Sequence, residues 1–571
     1  MKLFVLFCLI ILIILLYKNV LRPSVLFFGL LCLFLLVGLI KLDNFLINFV
    51  NPSLITLIIL LIVASALAKS DLVSFIDKID NKRKRNIFMF SSISSILSAF
   101  MNNTLVVSVA INTLYNNRNV SKILLPISYI SIIGGTCTLI GTSTNLIINS
   151  FVIESNLKPL KLFDFAYVGI PLVIVGILYI IFFSRKLLPE TPQKDEKKDS
   201  NYFLEAKVLK DSNLIGKTVK ENRLRNLESL FLTEILRGND LITPVSPDEE
   251  IKEGDLLIFT GEISNIKDLQ KFKGLQVFEE ESDVLKDNLV WVVLSHRSDL
   301  TGKKIKDSHF RSRFDAAVVA VKRGQKKLTG KIGNIKLQAG DYLILATGDD
   351  FYKKDDLLHE NFYSFSKLHL INKLNRNQTL IVLLSFFIAI LCSAIGLISL
   401  FNALIILMFF YFFMKILNVS EMRSAFNIDL LLLIGSALGI AKVLIDTGTA
   451  KMISDQIIMI FGSYGVYGSF IGIYLLTVIF TEIITNNAAA ALVFPIAYST
   501  AMTLGVDPLP FIMAVVYGAS ASFITPYGYQ TNLMVFSTGN YKPVDFLKFG
   551  LPLSIVYSIV VIILVPVFFK F

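Results

Sequence analysis

Eight apolar runs, near residues 3–17, 24–41, 53–68, 166–184, 379–397, 401–417, 429–445 and 550–569, constrain this chain more than any motif in it. Each approaches or reaches the roughly 20 residues with which a helix crosses about 30 Å of hydrocarbon. Inside a bilayer every backbone N–H and C=O must find a partner within the protein, so a bundle of helices is the architecture to expect from such runs. The composition agrees: 54% of the 571 residues are hydrophobic and 17% charged, with a mean hydropathy of +0.66, well above the balance of soluble domains. A polytopic α-helical membrane protein is expected. The first run follows Lys2, as the core of a signal peptide would, but no small-residue cleavage site precedes Lys18, Arg22 and the next span. It is expected to remain as a helix.

The net charge of +11 suits the basic loops that orient membrane proteins and calls for no nucleic acid. Cys8, Cys32, Cys137 and Cys392 lie in apolar segments, where a thiol acts as a small hydrophobe, so neither disulfides nor a cysteine metal site is expected. From about Arg185 to Arg376 the character changes. "PETPQKDEKKDS" at 189–200 is a charged linker, and short β-like runs with turns follow it. All four histidines, His296, His309, His359 and His369, fall in this soluble insert or at its exit, leaving none for a proton relay within the bilayer. The insert repeats itself. Ser212-x-Leu214-x-Gly216-Lys217 recurs as Ser298-x-Leu300-x-Gly302-Lys303, Arg237-Gly238 as Arg323-Gly324, and Gly254-Asp255-x-Leu257-Ile258 as Gly340-Asp341-x-Leu343-Ile344. The spacing is constant (298 − 212 = 86, 324 − 238 = 86, 340 − 254 = 86), the mark of two copies of one small α/β domain. Gly-Lys and Gly-Asp read as turn formers, not as a phosphate loop. The pattern resembles the RCK C-terminal (TrkA-C-like) domain over nearly all of 202–350. That resemblance implies cytoplasmic, paired domains that sense a small ligand or ion; a packing or dimerisation platform without a ligand is the other reading.

The membrane part repeats as well. Gly141-x-x-Thr144-Asn145-Leu146 followed by Asp164-Phe165-x-x-x-Gly169-x-Pro171-Leu172 returns in the same order as Gly528-x-x-Thr531-Asn532-Leu533 and Asp545-Phe546-x-x-x-Gly550-x-Pro552-Leu553. Duplication of this kind points to two halves meeting at a central site. The stretches 131–148 and 517–535 hold too many Gly, Ser and Thr for plain spanning helices, and Pro526 follows Thr525 in the second. Helices broken there would free backbone groups that hydrocarbon does not tolerate unless a cavity or the protein satisfies them. Close packing through small residues is the alternative use of such stretches. Ahead of each lies a polar knot, "SAFMNNT" at 98–104 and "TEIITNNAAA" at 481–490, without a lysine or arginine nearby. Neutral amides and hydroxyls there offer oxygens to a hard cation and donors to an oxyanion. With the insert in the cytoplasm, as Arg185, Lys186, Lys367 and Lys373 favour, the basic cluster Lys82, Arg83, Lys84, Arg85 faces the same side if 87–115 is a hairpin that dips in and returns. The matching segment, 465–502, would then enter from outside, making the repeats antiparallel.

This order of tip, broken helix and repetition resembles the divalent anion:sodium symporter (DASS) family of the ion transporter superfamily, across most of both membrane halves. In that family a Ser-Asn-Thr motif at each hairpin tip helps form the substrate and sodium sites. The resemblance places substrate contacts on Asn102, Asn103, Thr104, Thr485, Asn486, Asn487, Thr525 and Pro526. It places sodium contacts on Ser98, Asn103, Gly134, Gly135, Thr136, Thr138, Thr481, Glu482, Asn486 and Ser522, with Phe523 in the same broken segment. The tips depart from the family: Asn102 replaces the leading serine, and the second tip keeps only its asparagine, Asn486. Glu482, the one acid near the knots, either tunes the second cation site or bonds to neighbouring hydroxyls or faces water; Asp429, at the edge of a span, is expected at the interface.

The expected organisation is a first membrane half over 1–185, a charged linker over 186–200, RCK C-terminal copies over 201–283 and 284–370, and a second membrane half over 371–571. Chains built this way resemble the sulfate-permease-like branch. The function implied is sodium-coupled symport of a divalent oxyanion, sulfate ahead of a dicarboxylate, by a homodimer in the cell's inner (plasma) membrane. Sodium would be the coupling ion, with no other cofactor and no transition metal. Two rivals stay open: a sodium/proton or arsenite-type antiporter of the same superfamily, and a cation channel gated by RCK-type domains. An enzyme is not expected, since the insert lacks a convincing nucleophile, metal cluster or phosphate loop.

Overall fold

Helices with an outward face as apolar as their inward one need a solvent other than water, and the longest helices here have that property. In a computed structural model of the chain, all residues are described except 19–20, 70–83, 115–119, 191–202, 225–226, 228–229, 239, 243, 262–271, 279–288, 296–297, 329–331, 348–349, 352–353, 355–356, 359–360, 366–373, 420–421, 423–425 and 427. Lys82 and Arg83, most of the linker, His296, His359, His369, Lys367 and Lys373 therefore lie outside the described residues. Before the insert come α1 Lys2–Tyr17, α2 Pro23–Leu36, α3 Leu42–Ile47, α4 Pro52–Ala68, α5 Lys84–Phe100, α6 Asn103–Leu114, α7 Leu124–Gly135, α8 Ser143–Glu154 and α9 Ala166–Leu187. The short helix α10, Phe310–Phe314, lies inside the insert. After it come α11 Arg376–Ala394, α12 Leu400–Phe413, α13 Ile428–Asp446, α14 Thr449–Phe461, α15 Gly465–Ile483, α16 Asn486–Leu504, α17 Leu509–Ser520, α18 Gln530–Thr538 and α19 Pro543–Phe568. By length and composition, five helical stretches among the described residues can cross a membrane: Ala166–Leu187, Ile428–Asp446, Thr449–Ile483, Asn486–Leu504 and Pro543–Phe568.

On α19, Leu551, Ile555, Ile559, Ile563 and Val567 are exposed at every fourth position, while Phe549, Leu553, Tyr557, Val561 and Val565 are buried. The two stripes lie on opposite sides of one helix and both are apolar, as lipid on one side and protein on the other require. At the centre the pattern disappears. Every residue of α7 is buried, and so is every residue of α17 from Pro510 on, so these two helices see only protein. Asp429, at the start of α13, is paired with Arg22 at 3.2 Å and accepts from Ser24 at 2.7 Å.

The insert folds as two five-stranded antiparallel sheets. The first contains β1 Phe203–Val208, β2 Leu230–Arg237, β3 Asp240–Ile242, β4 Leu256–Gly261 and β5 Leu275–Phe278, in the order β3-β2-β4-β1-β5. The second contains β6 Leu289–Leu294, β7 Ala316–Arg323, β8 Lys326–Leu328, β9 Tyr342–Thr347 and β10 Phe362–Phe365, in the matching order β10-β6-β9-β7-β8. The long second strand of each carries an irregularity at the same place, between Leu232 and Glu234 and between Val318 and Ala320.

The recurring Arg-Gly and Gly-Asp pairs do more than make turns. Arg237 donates to Asp255 through Nε and Nη2, each at 2.9 Å, and Arg323 donates to Asp341 at 2.6 and 2.8 Å. Both aspartates are fully buried. Removing one partner strands the other: Asp341→Ala is expected to destabilise the second sheet by about 3 kcal/mol. Trp291, the chain's one tryptophan, lies in β6 beside β9, so its fluorescence in a denaturant titration of the solubilised protein measures the loss.

Glu234 sits at the β2 irregularity, 2% exposed, with Oε2 lacking a hydrogen-bond partner among the described residues. Burial pushes its carboxyl up from 4.5 to about 7. The folded chain then holds a proton that the unfolded chain releases, so this group's contribution is full below about pH 4.5 and declines as pH rises to 7, by roughly 3 kcal/mol. Glu234→Gln should therefore melt above the parent at pH 8 and match it near pH 5, as read by thermal unfolding of the full chain.

Candidate functional site

Two helix–tip–helix units and two interrupted helices carry the residues singled out in the sequence. In the first repeat, α5 and α6 join through Met101 and Asn102, and α7 stops at Gly135 before α8 resumes at Ser143. In the second, α15 and α16 join through Ile484 and Thr485, and α17 stops at Ser520 before α18 resumes at Gln530. The resumed half of each repeat packs on the other repeat: α18 against α6 and α7, α8 against α16 and α17.

The correspondence holds to single hydrogen bonds. Gly141 N donates to Thr138 Oγ1 at 3.1 Å, and Gly528 N to Thr525 Oγ1 at 3.2 Å. Thr138 Oγ1 donates to the Ala99 carbonyl, and Thr525 Oγ1 lies 3.3 Å from the Glu482 carbonyl. Asn145 Nδ2 donates to Thr138 O at 2.8 Å; Asn532 Nδ2 donates to Ser522 O at 2.9 Å and Thr525 O at 3.4 Å. Ser98 Oγ donates to Ser131 O and Thr481 Oγ1 to Ala519 O, both at 2.7 Å.

The doubled hexapeptide thus closes a turn: its glycine amide binds a threonine hydroxyl and its asparagine amide binds that threonine's carbonyl. Both glycines are crowded. A Cβ on Gly141 would lie 2.4 Å from Gly135 O, and one on Gly528 would lie 2.1 Å from Ser522 Oγ. The second duplicated motif lands on the same loops, with Gly169 against Thr136 O and Gly550 against Phe523 O.

The tips meet the opposite repeat. With its amide oriented to satisfy its neighbours, Asn103 donates to Ser131 O at 3.2 Å and Gly141 O at 3.3 Å and accepts from Tyr529 OH at 2.8 Å. Asn486 Nδ2 donates to Thr144 Oγ1 at 2.8 Å, while Asn487 Oδ1 accepts from Thr144 Oγ1 at 3.0 Å and Ser143 Oγ at 3.1 Å. Tyr529 OH also lies 3.3 Å from Thr142 Oγ1. Thr142 and Tyr529 occupy the same place in the two hexapeptides, so equivalent residues of the repeats touch each other. Helices α6, α8, α16 and α18 all begin at this meeting point, with Asn103, Ser143, Asn486 and Gln530 as first residues. Their unsatisfied N–H groups and positive dipole ends favour negative charge. Among the described residues, no lysine, arginine or histidine hydrogen-bonds to these tip groups.

Glu482 clamps one loop. Its Oε1 accepts from Phe523 N and Ile524 N at 2.8 Å each, and its Oε2 from Thr525 N at 3.0 Å and Thr525 Oγ1 at 2.9 Å. Ala99 holds the matching position in the first repeat. There the loop satisfies itself, with Thr136 N donating to Ile133 O and Cys137 N to Gly134 O, both at 3.1 Å.

Of the other sequence-selected residues, Asn102 is exposed and caps α6 by accepting from Thr104 N at 3.0 Å. Thr136 donates its hydroxyl back to Ile133 O, and Phe523 packs among Tyr129 and Tyr557. Gly134 and Gly135 lie against Ser95 and Asn103. Thr485 is the N-cap of α16, Pro526 is buried, and Thr531 and Asn532 lie 2.9 and 2.8 Å from Ser128 Oγ. Tyr529, Thr142 and Ser128 went unnoticed in the sequence. Aligning the two hexapeptides position by position would have flagged the first two, where threonine and tyrosine stand in equivalent places.

A profile of the CitMHS family, described as citrate transporter, matches residues 7–516 and 403–571. The "Putative sulfur deprivation response regulator" of Chlamydomonas reinhardtii is 30% identical over 584 residues, covering 97% of this chain and 99% of that one. Sodium/sulfate cotransporter 1 of the same alga is 30% identical over 380 residues, which is 63% of this chain and 42% of that one. The crystal structure of the YdaH transporter of Alcanivorax borkumensis aligns with 96% of this chain and 98% of its own at 11% identity and a TM-score of 0.41. The chain belongs to the citrate transporter (CitMHS) family within the ion transporter superfamily, and is a helical membrane transporter and not an enzyme.

Proposed function

We propose that the protein is a secondary transporter that moves a divalent oxyanion, sulfate first among candidates, together with sodium. One observation carries this reading: the N-terminal ends of α6, α8, α16 and α18 converge on neutral amides and hydroxyls. Helix ends and neutral donors hold an anion without a fixed cation that would retain it. Uncompensated oxygens support a cation nearby. Ser131 Oγ, Asn145 Oδ1, Ser520 Oγ and Ser522 Oγ are buried without a hydrogen-bond partner among the described residues, and hard monovalent cations take such ligands.

Two inverted halves moving in alternating access fit this arrangement, with Ser98, Asn103, Gly134, Gly135 and Thr138 on one sodium ion and Thr481, Asn486 and Ser522 on the other. The inside-negative potential opposes each negative charge by about 2.3 kcal/mol per 100 mV, so two co-bound sodium ions cancel that cost for a dianion and leave the sodium gradient as the drive. A cytoplasmic insert of RCK C-terminal type and a homodimer in the plasma membrane complete the reading. Citrate, the substrate in the family's name, is the competing anion.

Uptake of labelled sulfate into proteoliposomes tests it. Uptake is expected only with an inward sodium gradient and with little competition from citrate or succinate. Uptake driven by a proton gradient alone would favour the antiporter, and strong competition by citrate would replace sulfate with a tricarboxylate.

A further inference from the structure

We propose that the second sheet unit of the insert positions half-helix α18, and through it Tyr529 at the site, from the soluble side; the consequence for transport rests on the function proposed above. Ser537, near the end of α18, staples two turns of that unit: its Oγ accepts from Gly324 N at 3.0 Å and donates to Gly340 O at 2.7 Å. Gln325 Nε2 adds a bond to Asn540 O at 2.7 Å. The fit is close. A Cβ on Gly324 would lie 2.8 Å from Phe536 Cζ, and one on Gly340 would lie 2.6 Å from Leu533 Cδ1. The same unit reaches the other repeat, where β10 packs on α6 and Ser108 Oγ approaches Tyr363 O at 3.4 Å.

The two half-helices it holds, Asn103–Leu114 and Gln530–Thr538, are those whose far ends bring Asn103 and Tyr529 together. At a rise of 1.5 Å per residue α18 is about 13 Å long, a short rigid lever from the docked turns to the site.

The first sheet unit shows that this contact is not inherent in the fold of the insert. Its matching turns hold Gly238 at φ +61° and Gly254 at φ +80°, against +57° for Gly324 and +82° for Gly340. Yet a Cβ on Gly238 or Gly254 would meet nothing within 4 Å. Four alanine variants therefore share the same backbone strain and differ only in whether a methyl strikes α18.

Amide hydrogen exchange on the solubilised full chain decides the matter. Gly324→Ala and Gly340→Ala should speed exchange by about tenfold in 530–541 and also at the tip, 103–107. Gly238→Ala and Gly254→Ala should leave both segments within about twofold of the parent. Ser537→Ala, which removes the staple without strain, should behave as the first pair. In sulfate uptake the first pair and Ser537→Ala should shift KM or kcat by about fivefold. Equal exchange in the two glycine pairs would overturn the proposal, as would a change confined to 530–541. A parent that moves no sulfate would fault the functional reading alone, because exchange at the tip still decides this one.

Discussion

Asn103→Ala and Asn486→Ala should each lower sodium-driven uptake by about 100-fold or more, a loss of about 2.7 kcal/mol, while the protein remains in the membrane. Each amide bridges the repeats: Asn103 accepts from Tyr529 and donates to Ser131 and Gly141 carbonyls, and Asn486 donates to Thr144. Truncation removes a ligand from the proposed site and also takes one of two hydrogen bonds from the facing group of the other repeat, leaving Tyr529 OH with Thr142 alone and Thr144 Oγ1 with Asn487 alone, at a cost of about 1 kcal/mol each. Alanine is a good helix former at either first position, so the helices themselves should survive. Size-exclusion profiles and circular dichroism like the parent's, with uptake gone, are the expected combination. Parent-like uptake in both variants would remove the tips from the site.

Glu482→Gln should be nearly as severe, although it changes one atom. Four donors face the carboxylate: Phe523 N and Ile524 N on one oxygen, Thr525 N and Thr525 Oγ1 on the other. Only an acceptor on both sides suits that arrangement. A glutamine keeps one acceptor and turns its NH2 on the other pair of donors, leaving Thr525 N unsatisfied in a half-buried loop. Thr525 also supports Gly528 N, so the disturbance reaches the start of α18. Uptake should fall by about 30-fold, with faster amide exchange confined to 521–531. Exchange like the parent's in that loop would show that the carboxylate acts on an ion and not on the backbone.

How much of this was legible beforehand depended on the kind of signal. The apolar runs at 166–184, 429–445 and 550–569 correspond to α9, α13 and α19, because hydrophobic length is a local property. The helices at 24–41 and 401–417 are shorter than their runs, ending at Leu36 and Phe413, where the chain turns through Gly38 and Lys415 at positive φ. The Gly-Asp pairs of the insert read as turn formers, and the glycines do take positive φ. The buried ion pairs to Arg237 and Arg323 stayed hidden, since nothing in the spacing says that residues 18 apart (255 − 237) will meet across a sheet.

Repetition is written into the order of letters, so the sequence alone could show two related membrane halves, two related insert units and a cluster of neutral polar residues in each half. Which residues face which is not written there. Glu482 closing a loop, Tyr529 reaching Asn103 across 426 positions, and only one of two like units gripping α18 all depend on packing between distant segments. Local propensity sets the elements; the single-donor and single-acceptor arithmetic of buried groups, solvable only once the halves are together, assigns their partners.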